Sequence, residues 1–350
     1  MKPRLNLTPV GNRFSKMRKF GVIRISSYEK VLFSRRTLKD FTWLLSRICG
    51  LVVSAIVLTL PAAAEPASKV CVEDDLSRQV CVPAFPERLI SLAPSLTEIV
   101  FDLGAGHTLV GRTTRCNEPP EALKIQDIGA YMNPDLERII AVRPDLVLSP
   151  EAGMRKEVVD RLTELGIPAF VDNSNTLDEI VHTMNRLGTI LGREADAKTV
   201  VLQFQQRRQA VRERVDHVGK PLILFAVGIR PLVLAGGRSF IGSLIREAGG
   251  VNVAEEATVP HPKFSMEEVA RRDPDIIIVL NKECRDNECF NEWQRHQALR
   301  AVRHNQIYQL DADLIARPSA RIMDALEQLA AIFHPNILGS GSSIGVNRIK

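Results

Sequence analysis

Five of the six cysteines in the 350-residue chain fall after residue 64: Cys71, Cys81, Cys116, Cys284 and Cys289. Four of them form close pairs. Cys71 and Cys81 bracket Asp74-Asp75-Leu76-Ser77-Arg78, which has the composition of a turn between two short strands. Cross-strand thiols in such a ribbon meet at disulfide distance. Cys284 and Cys289 flank Arg285-Asp286-Asn287-Glu288, a second polar loop. Two chemistries are open. In an oxidising compartment the pairs make two local disulfides. The other reading is a zinc site built from all four, although neither pair has the C-x2-C spacing of a zinc knuckle. The chain carries no H-E-x-x-H or P-loop motif, and its G-x-S-x-G string, Gly341-Ser342-Ser343-Ile344-Gly345, falls in the Gly/Ser-rich tail rather than between a strand and a helix, so no nucleophile–base set is recognisable. Its seven histidines are scattered, whereas free-metal capture needs three or four ligands that converge.

A second pattern is an internal repeat. Glu137-Arg138-Ile139 precedes Pro144-Asp145-Leu146, and Glu267-Glu268-Val269 precedes Pro274-Asp275-Ile276. The spacing from glutamate to proline is seven in both, and a ring residue stands six positions before each glutamate, Tyr131 and then His261. Each copy reads as a short helix, a Pro-Asp turn and a buried strand, so the chain holds two similar lobes.

The elements that position these residues alternate. Strands are expected at Leu89–Leu92, Leu109–Gly111, Leu146–Leu148 and Ala169–Val171, with helices between them. Ser95 and Glu98 have capping-box spacing at the start of the first helix. Such alternation implies a parallel sheet covered on both faces. From Glu194 to Val218 there is no Gly or Pro, and Val200, Val201, Phe204, Val211 and Val215 recur at helical spacing. A helix of that span is roughly 35–40 Å long, enough to reach from one lobe to the other. The pattern restarts with strands at Leu222–Phe225, Leu232–Leu234, Ile276–Leu280 and Ile307–Leu310, and a helix at about Ser319 to Phe333 closes it. The resulting boundaries are 1–64 leader, 65–192 first lobe, 193–219 connecting helix, 220–336 second lobe and 337–350 disordered tail.

The leader reads as an export signal. Ile48 to Leu60 is a short apolar run preceded by Arg35, Arg36, Lys39 and Arg47, and Ala62-Ala63-Ala64 follows. Cleavage is expected after Ala64. Ser34-Arg35-Arg36-Thr37-Leu38-Lys39 resembles a twin-arginine signal, and a retained membrane anchor is the other reading. The formal charge of +5 belongs to this leader, which holds 12 Lys/Arg and 2 Asp/Glu. Beyond it stand 34 basic and 39 acidic residues, and nothing there argues for nucleic acid.

Several segments carry a resemblance: Pro86-Glu87-Arg88-Leu89-Ile90-Ser91-Leu92-Ala93-Pro94-Ser95, Leu136-Glu137-Arg138-Ile139, Arg143-Pro144-Asp145-Leu146-Val147, Leu165-Gly166-Ile167-Pro168 and Arg317-Pro318-Ser319-Ala320-Arg321-Ile322. In this order they resemble the class III periplasmic binding proteins, the helical-backbone metal receptors, over roughly Arg88 to Pro335. The resemblance implies an α/β fold of two Rossmann-like lobes joined by one backbone helix, with ligand in the cleft between them. It implies a monomeric, periplasmic component of an ABC importer, with a permease and an ATPase as partners and no intrinsic cofactor or catalytic residue. The cargo would be a corrinoid such as vitamin B12 or a ferric siderophore, with heme as the alternative. A chelatase-like enzyme and a free-metal binder are the competing functions.

The resemblance also assigns residues. Glu137 and Glu267 match glutamates that dock into permease arginines. Tyr131 and His261 stand where members that take vitamin B12 have cleft tryptophans, and Leu314 and Ile315 stand where those members have further aromatics. Phe264 is a candidate wall, and Arg317 and Arg115 are candidate anion contacts. Cys116 falls near the cleft mouth, either as a buried free thiol or as a ligand contact.

Overall fold

The computed structural model describes residues 69–283, 288–338 and 347–348, all within the compact unit that begins at Glu65. The expected leader, 1–64, lies outside them, as do the side chains of Cys284 and Cys289.

The first lobe opens with a hairpin, β1 (Lys69–Glu73) and β2 (Gln79–Pro83), in which Cys71 lies directly opposite Cys81 and is disulfide-bonded to it. Four parallel strands follow: β3 (Leu89–Ser91), β4 (Leu109–Arg112), β7 (Leu146–Pro150) and β8 (Ala169–Asp172), in the order β4-β3-β7-β8. Strands β5 (Gly129–Ala130) and β6 (Asn133–Pro134) form a small hairpin whose tip carries Tyr131. The helices of this lobe are α1 (Pro94–Asp102), α2 (Leu136–Ala141), α3 (Lys156–Glu164) and α4 (Leu177–Ile190). Every residue of β7 is buried. Strands covered on both faces read as continuous apolar runs rather than as alternation.

A 22-residue helix, α5 (Glu194–Val215), leads to the second lobe. Ala197, Val201, Phe204, Val211 and Val215 are buried along it. Arg208 interrupts that stripe, and its guanidinium reaches Asp178 on α4 (2.6 Å) and Glu247 at the end of α6 (Phe240–Glu247) in the other lobe (2.6 Å). Arg207 pairs with Asp324 and Glu327 on α8 (Ile322–Phe333). The connector is therefore fastened by charge to both lobes.

The second sheet contains β9 (Leu222–Ile229), β10 (Leu232–Leu234), β11 (Val251–Asn252), β12 (Ile276–Leu280), β13 (Ile307–Leu310) and β14 (Asn347–Arg348). Its main order is β10-β9-β12-β13-β14, with β11 also on β9. Helix α7 (Met266–Arg272) precedes β12. This sheet is mixed rather than purely parallel. Only Arg230 and Pro231 separate β9 from β10, too few residues for a crossover, so that pair runs antiparallel. β14 also pairs antiparallel to β13, within the stretch where a disordered tail was expected.

The capping-box expectation for α1 is corrected. The N-cap is Ala93 and Pro94 occupies the first turn. Proline's fixed φ starts a helix without needing a donor there. Glu98 does not fold back on its own helix, because a buried carboxylate needs a cation, and one is supplied from the second lobe.

Candidate ligand-binding cleft

Between the lobes lies a cavity of about 590 Å³, lined by both. Its position follows from the topology. Ala93 to Ser95 follow β3, Pro150 to Ala152 end β7, and Asp172 to Asn175 end β8. From the other lobe, Leu280 and Lys282 end β12, and Ala312 to Pro318 follow β13. The carboxyl ends of the parallel strands in both sheets thus open on one space, the usual ligand position in open α/β sheets.

Of the residues expected from sequence, Tyr131, His261, Arg115 and Arg317 line this cavity. The Tyr131 hydroxyl donates to the Ala152 carbonyl (3.1 Å). Its ring lies against Gly153, which has φ +78° and where a Cβ would come within 3.3 Å of the ring. Burial, and then the proximity of Cys116 and Asp172, push the phenol above its ordinary pKa, so it stays protonated. His261 is exposed, on a loop fixed at both ends: the Pro260 carbonyl accepts from the Gly236 N–H (2.8 Å) and the Pro262 carbonyl from the Leu234 N–H (3.0 Å). A Cβ on Gly236 would sit 2.8 Å from the Val259 carbonyl oxygen, so glycine permits the close approach of this loop.

Phe264 is not brought to the cleft. Its ring packs on the core of the second lobe, with the Arg272 guanidinium 5.4 Å from its centroid. Arg317 is a cleft residue, but its guanidinium is committed. It is 6% exposed and donates to Glu98 (2.9 Å) and to Asn117 (2.7 Å), with Asp313 at 3.3 Å. The Ser319 hydroxyl also donates to Glu98. Cys116 is a fully buried free thiol beside the Thr113 hydroxyl (3.3 Å) and does not line the cavity.

Sequence reasoning missed Arg238, Lys282 and Asp172 as wall residues. For Lys282 and Asp172 the available signal was positional, because each stands just beyond the end of an expected strand. Lys282 pairs with Asp313. Burial alone would raise the Asp313 pKa, yet Lys282 and Arg317 outweigh it and hold the carboxyl below its usual range. Asp172 accepts from Thr183 (2.6 Å) and Ser174 (2.7 Å), and burial pushes its carboxyl up. Among the described residues no carboxylate pairs with Arg115 or Arg238, both exposed, one on each lobe. The cleft therefore offers two uncompensated guanidinium groups beside a phenol and an imidazole. Among the described residues no three His, Cys, Asp or Glu side chains converge to hold an ion.

Glu137 and Glu267 stand apart from the cavity. Each is exposed, and each is the second residue of its helix, behind Asp135 as N-cap of α2 and Ser265 as N-cap of α7. The internal repeat thus places them at equivalent points of the two lobes.

The sequence profile described as periplasmic binding protein matches residues 89–314. A vitamin B12-binding protein of Vibrio parahaemolyticus is 27% identical over 247 residues, covering 71% of this chain and 89% of that one. Among solved structures, the periplasmic vitamin B12 binding protein BtuF of Vibrio cholerae is 27% identical, with a TM-score of 0.65 over 71% of this chain and 96% of the other. The periplasmic heme-binding protein RhuT from Roseiflexus, in apo form, is 26% identical, with a TM-score of 0.64 over 71% of this chain and 98% of that one.

Proposed function

Because this chain belongs to the periplasmic binding protein family, we propose that its interlobe cleft captures a metal chelate in the periplasm and delivers it to the permease of an ABC importer without transforming it. The observation that carries this reading is the cavity of about 590 Å³ formed by strand ends of both lobes, with Tyr131 and His261 in its lining. Clefts of this size, with few convergent polar groups, suit cofactor-sized ligands. The relatives named for vitamin B12 binding support a corrinoid. In this reading the leader is removed after Ala64, the protein acts as a monomer, and Glu137 and Glu267 dock on arginines of a permease that works with its ATPase. An exposed carboxylate and an arginine fork form a charge-assisted pair, and one pair per lobe would fix orientation.

A second reading of the cargo is favoured by Arg115 and Arg238. Two exposed guanidiniums on opposite lobes match a chelate bearing anionic groups, heme or a ferric siderophore, better than a chelate whose contacts are largely amides. Titration of the protein with cyanocobalamin, hemin and a panel of ferric siderophores, followed by calorimetry and by the ligand's visible spectrum, tests both. Tight one-to-one binding of one class assigns the cargo. Binding of none would remove the chelate assignment.

A further inference from the structure

We propose that the disulfide hairpin at the start of the first lobe is a strut for one wall of the cleft, so that ligand affinity falls when the Cys71–Cys81 cross-link is removed. The link to affinity rests on the cleft being the ligand site.

β8 is an edge strand of its sheet. Its outward backbone groups need partners, and the hairpin turn supplies them. Arg78 Nη2 donates to the Ala169 carbonyl (2.9 Å), and Asp75 N–H donates to the Val171 carbonyl (3.1 Å). The Val171 N–H donates to Asp74 Oδ2 (3.3 Å), and the Asn173 N–H donates to Asp75 Oδ2 (2.7 Å). Every second residue of β8 is therefore bound by the turn, and the last contact is made at Asn173, a cleft residue. A second route reaches Asp172. Arg186 pairs with Asp75 (2.8 Å), donates to the Glu73 carbonyl (3.2 Å), and donates to Thr183 Oγ1 (2.9 Å), which in turn donates to Asp172.

The turn itself is wound around the Asp74 carboxylate, which is wholly buried and accepts from the N–H groups of Leu76 and Arg78 (3.0 Å each). An isolated two-stranded ribbon is marginal in water. The cross-link removes its open states and so keeps Asp74 and Asp75 against β8. The hairpin precedes residue 89, where the family match begins, so this support lies outside the matched segment.

The test compares the full chain with two variants, Cys71→Ser/Cys81→Ser and Asp75→Asn, by amide hydrogen exchange and by titration with hemin and cyanocobalamin well below the unfolding temperature. Exchange at Val171 and Asn173 is expected to quicken at least roughly tenfold in both variants, with β12 of the other lobe unchanged. Affinity for the probe that the wild type binds should weaken about fivefold, the loss of one net hydrogen bond. A purely global loss of stability would quicken exchange in both lobes and leave affinity unmoved. Unchanged exchange at Val171 and Asn173 overturns the strut. Faster exchange with unchanged affinity overturns its link to binding. If the wild type binds neither probe and none of the ferric siderophores, the proposed function fails, while the exchange measurement still decides the strut.

Discussion

Arg317 and Glu98 meet 2.9 Å apart across the two lobes, and neither side chain is more than 7% exposed. The pair sits directly behind the cleft, since Arg317 also lines it. Ser319, and Arg321 at 3.4 Å, complete the shell around the carboxylate. A buried pair is weak evidence of net stabilisation, but removing one partner strands the other charge. Arg317→Ala should therefore destabilise the protein by about 3–5 kcal/mol in urea unfolding. Glu98→Gln with Arg317→Met, which removes both charges, should cost clearly less. Equal losses in the two variants would show that the shape of the side chains, rather than charge pairing, carries the effect.

The cleft assignment makes its own prediction. Tyr131→Ala and His261→Ala should each weaken binding of the cargo by about 1–3 kcal/mol, through loss of a ring or polar contact. Phe264→Ala should leave affinity unchanged although it removes a packed ring, because Phe264 faces the core of the second lobe. Calorimetric titration separates these outcomes. A Phe264 variant that lost affinity while the other two kept it would move the site away from the cavity.

Sequence reasoning reached the lobes, the connecting helix and most of the strands because buried runs such as Ile276–Leu280 and Leu146–Leu148 have few alternatives once both faces are covered. It also reached Tyr131 and His261, which occupy matched places in the internal repeat. It failed where the deciding partner lies far along the chain. Glu98 carried a correct local signature for a capping box, yet its partner is 219 residues away. Arg317 had the composition of an anion contact and is already satisfied by that same glutamate. Phe264 is three residues from His261 but packs on the core of the second lobe, and periodicity assigns no face within an irregular segment. Arg238 gave no local signal, because an arginine after Gly-Gly becomes informative only when two sheets are known to face each other.

Docking is separable from binding. Glu137→Ala with Glu267→Ala should abolish uptake of the cargo in cells while leaving solution affinity intact, because both carboxylates are exposed in the first turns of α2 and α7 and neither lines the cavity. Uptake and calorimetry on the same variant test this. Lost affinity in solution would place the two glutamates in the ligand site instead.

Acid should act on the connector before the cleft wall. Arg208 holds the Asp178 carboxyl below its ordinary range. Burial would raise Glu247, but Arg212 and Arg208 outweigh it and lower it. A carboxyl with a depressed folded pKa contributes stability above its unfolded value, and that stability is lost as pH falls through the folded one. Asp172 has the opposite sign. Its pKa is raised by burial, so its contribution is fully present below the ordinary carboxylate value and is lost as pH rises through the folded one. Urea unfolding against pH should therefore show Asp178→Asn/Glu247→Gln flattening the acid limb. Asp172→Asn should instead remove a loss of stability on the rising side. Identical pH profiles for all three proteins would remove both assignments.

The nature of the cargo turns on Arg115 and Arg238. Four cations line the cavity, and two are internally matched, Lys282 with Asp313 and Arg317 with Glu98. Among the described residues Asp172 is the one carboxylate left in the wall, and the two guanidiniums outnumber it, so the remaining field is positive and is supplied from both lobes. A porphyrin or siderophore with carboxylates or catecholates at its edges would engage both guanidiniums, and a corrinoid presenting mainly amides would not. Arg115→Ala/Arg238→Ala should then weaken hemin or a ferric catecholate by roughly tenfold or more at low salt, while cyanocobalamin binding changes little. The wild-type affinity for the anionic chelate should also fall as salt is raised, and the double variant should lose that dependence, because exposed charges are screened within about 10 Å at 0.1 M. Should the wild type bind cyanocobalamin tightly with no salt dependence, the two arginines would belong to the rim rather than to recognition. Tyr131 and His261 would then carry the specificity.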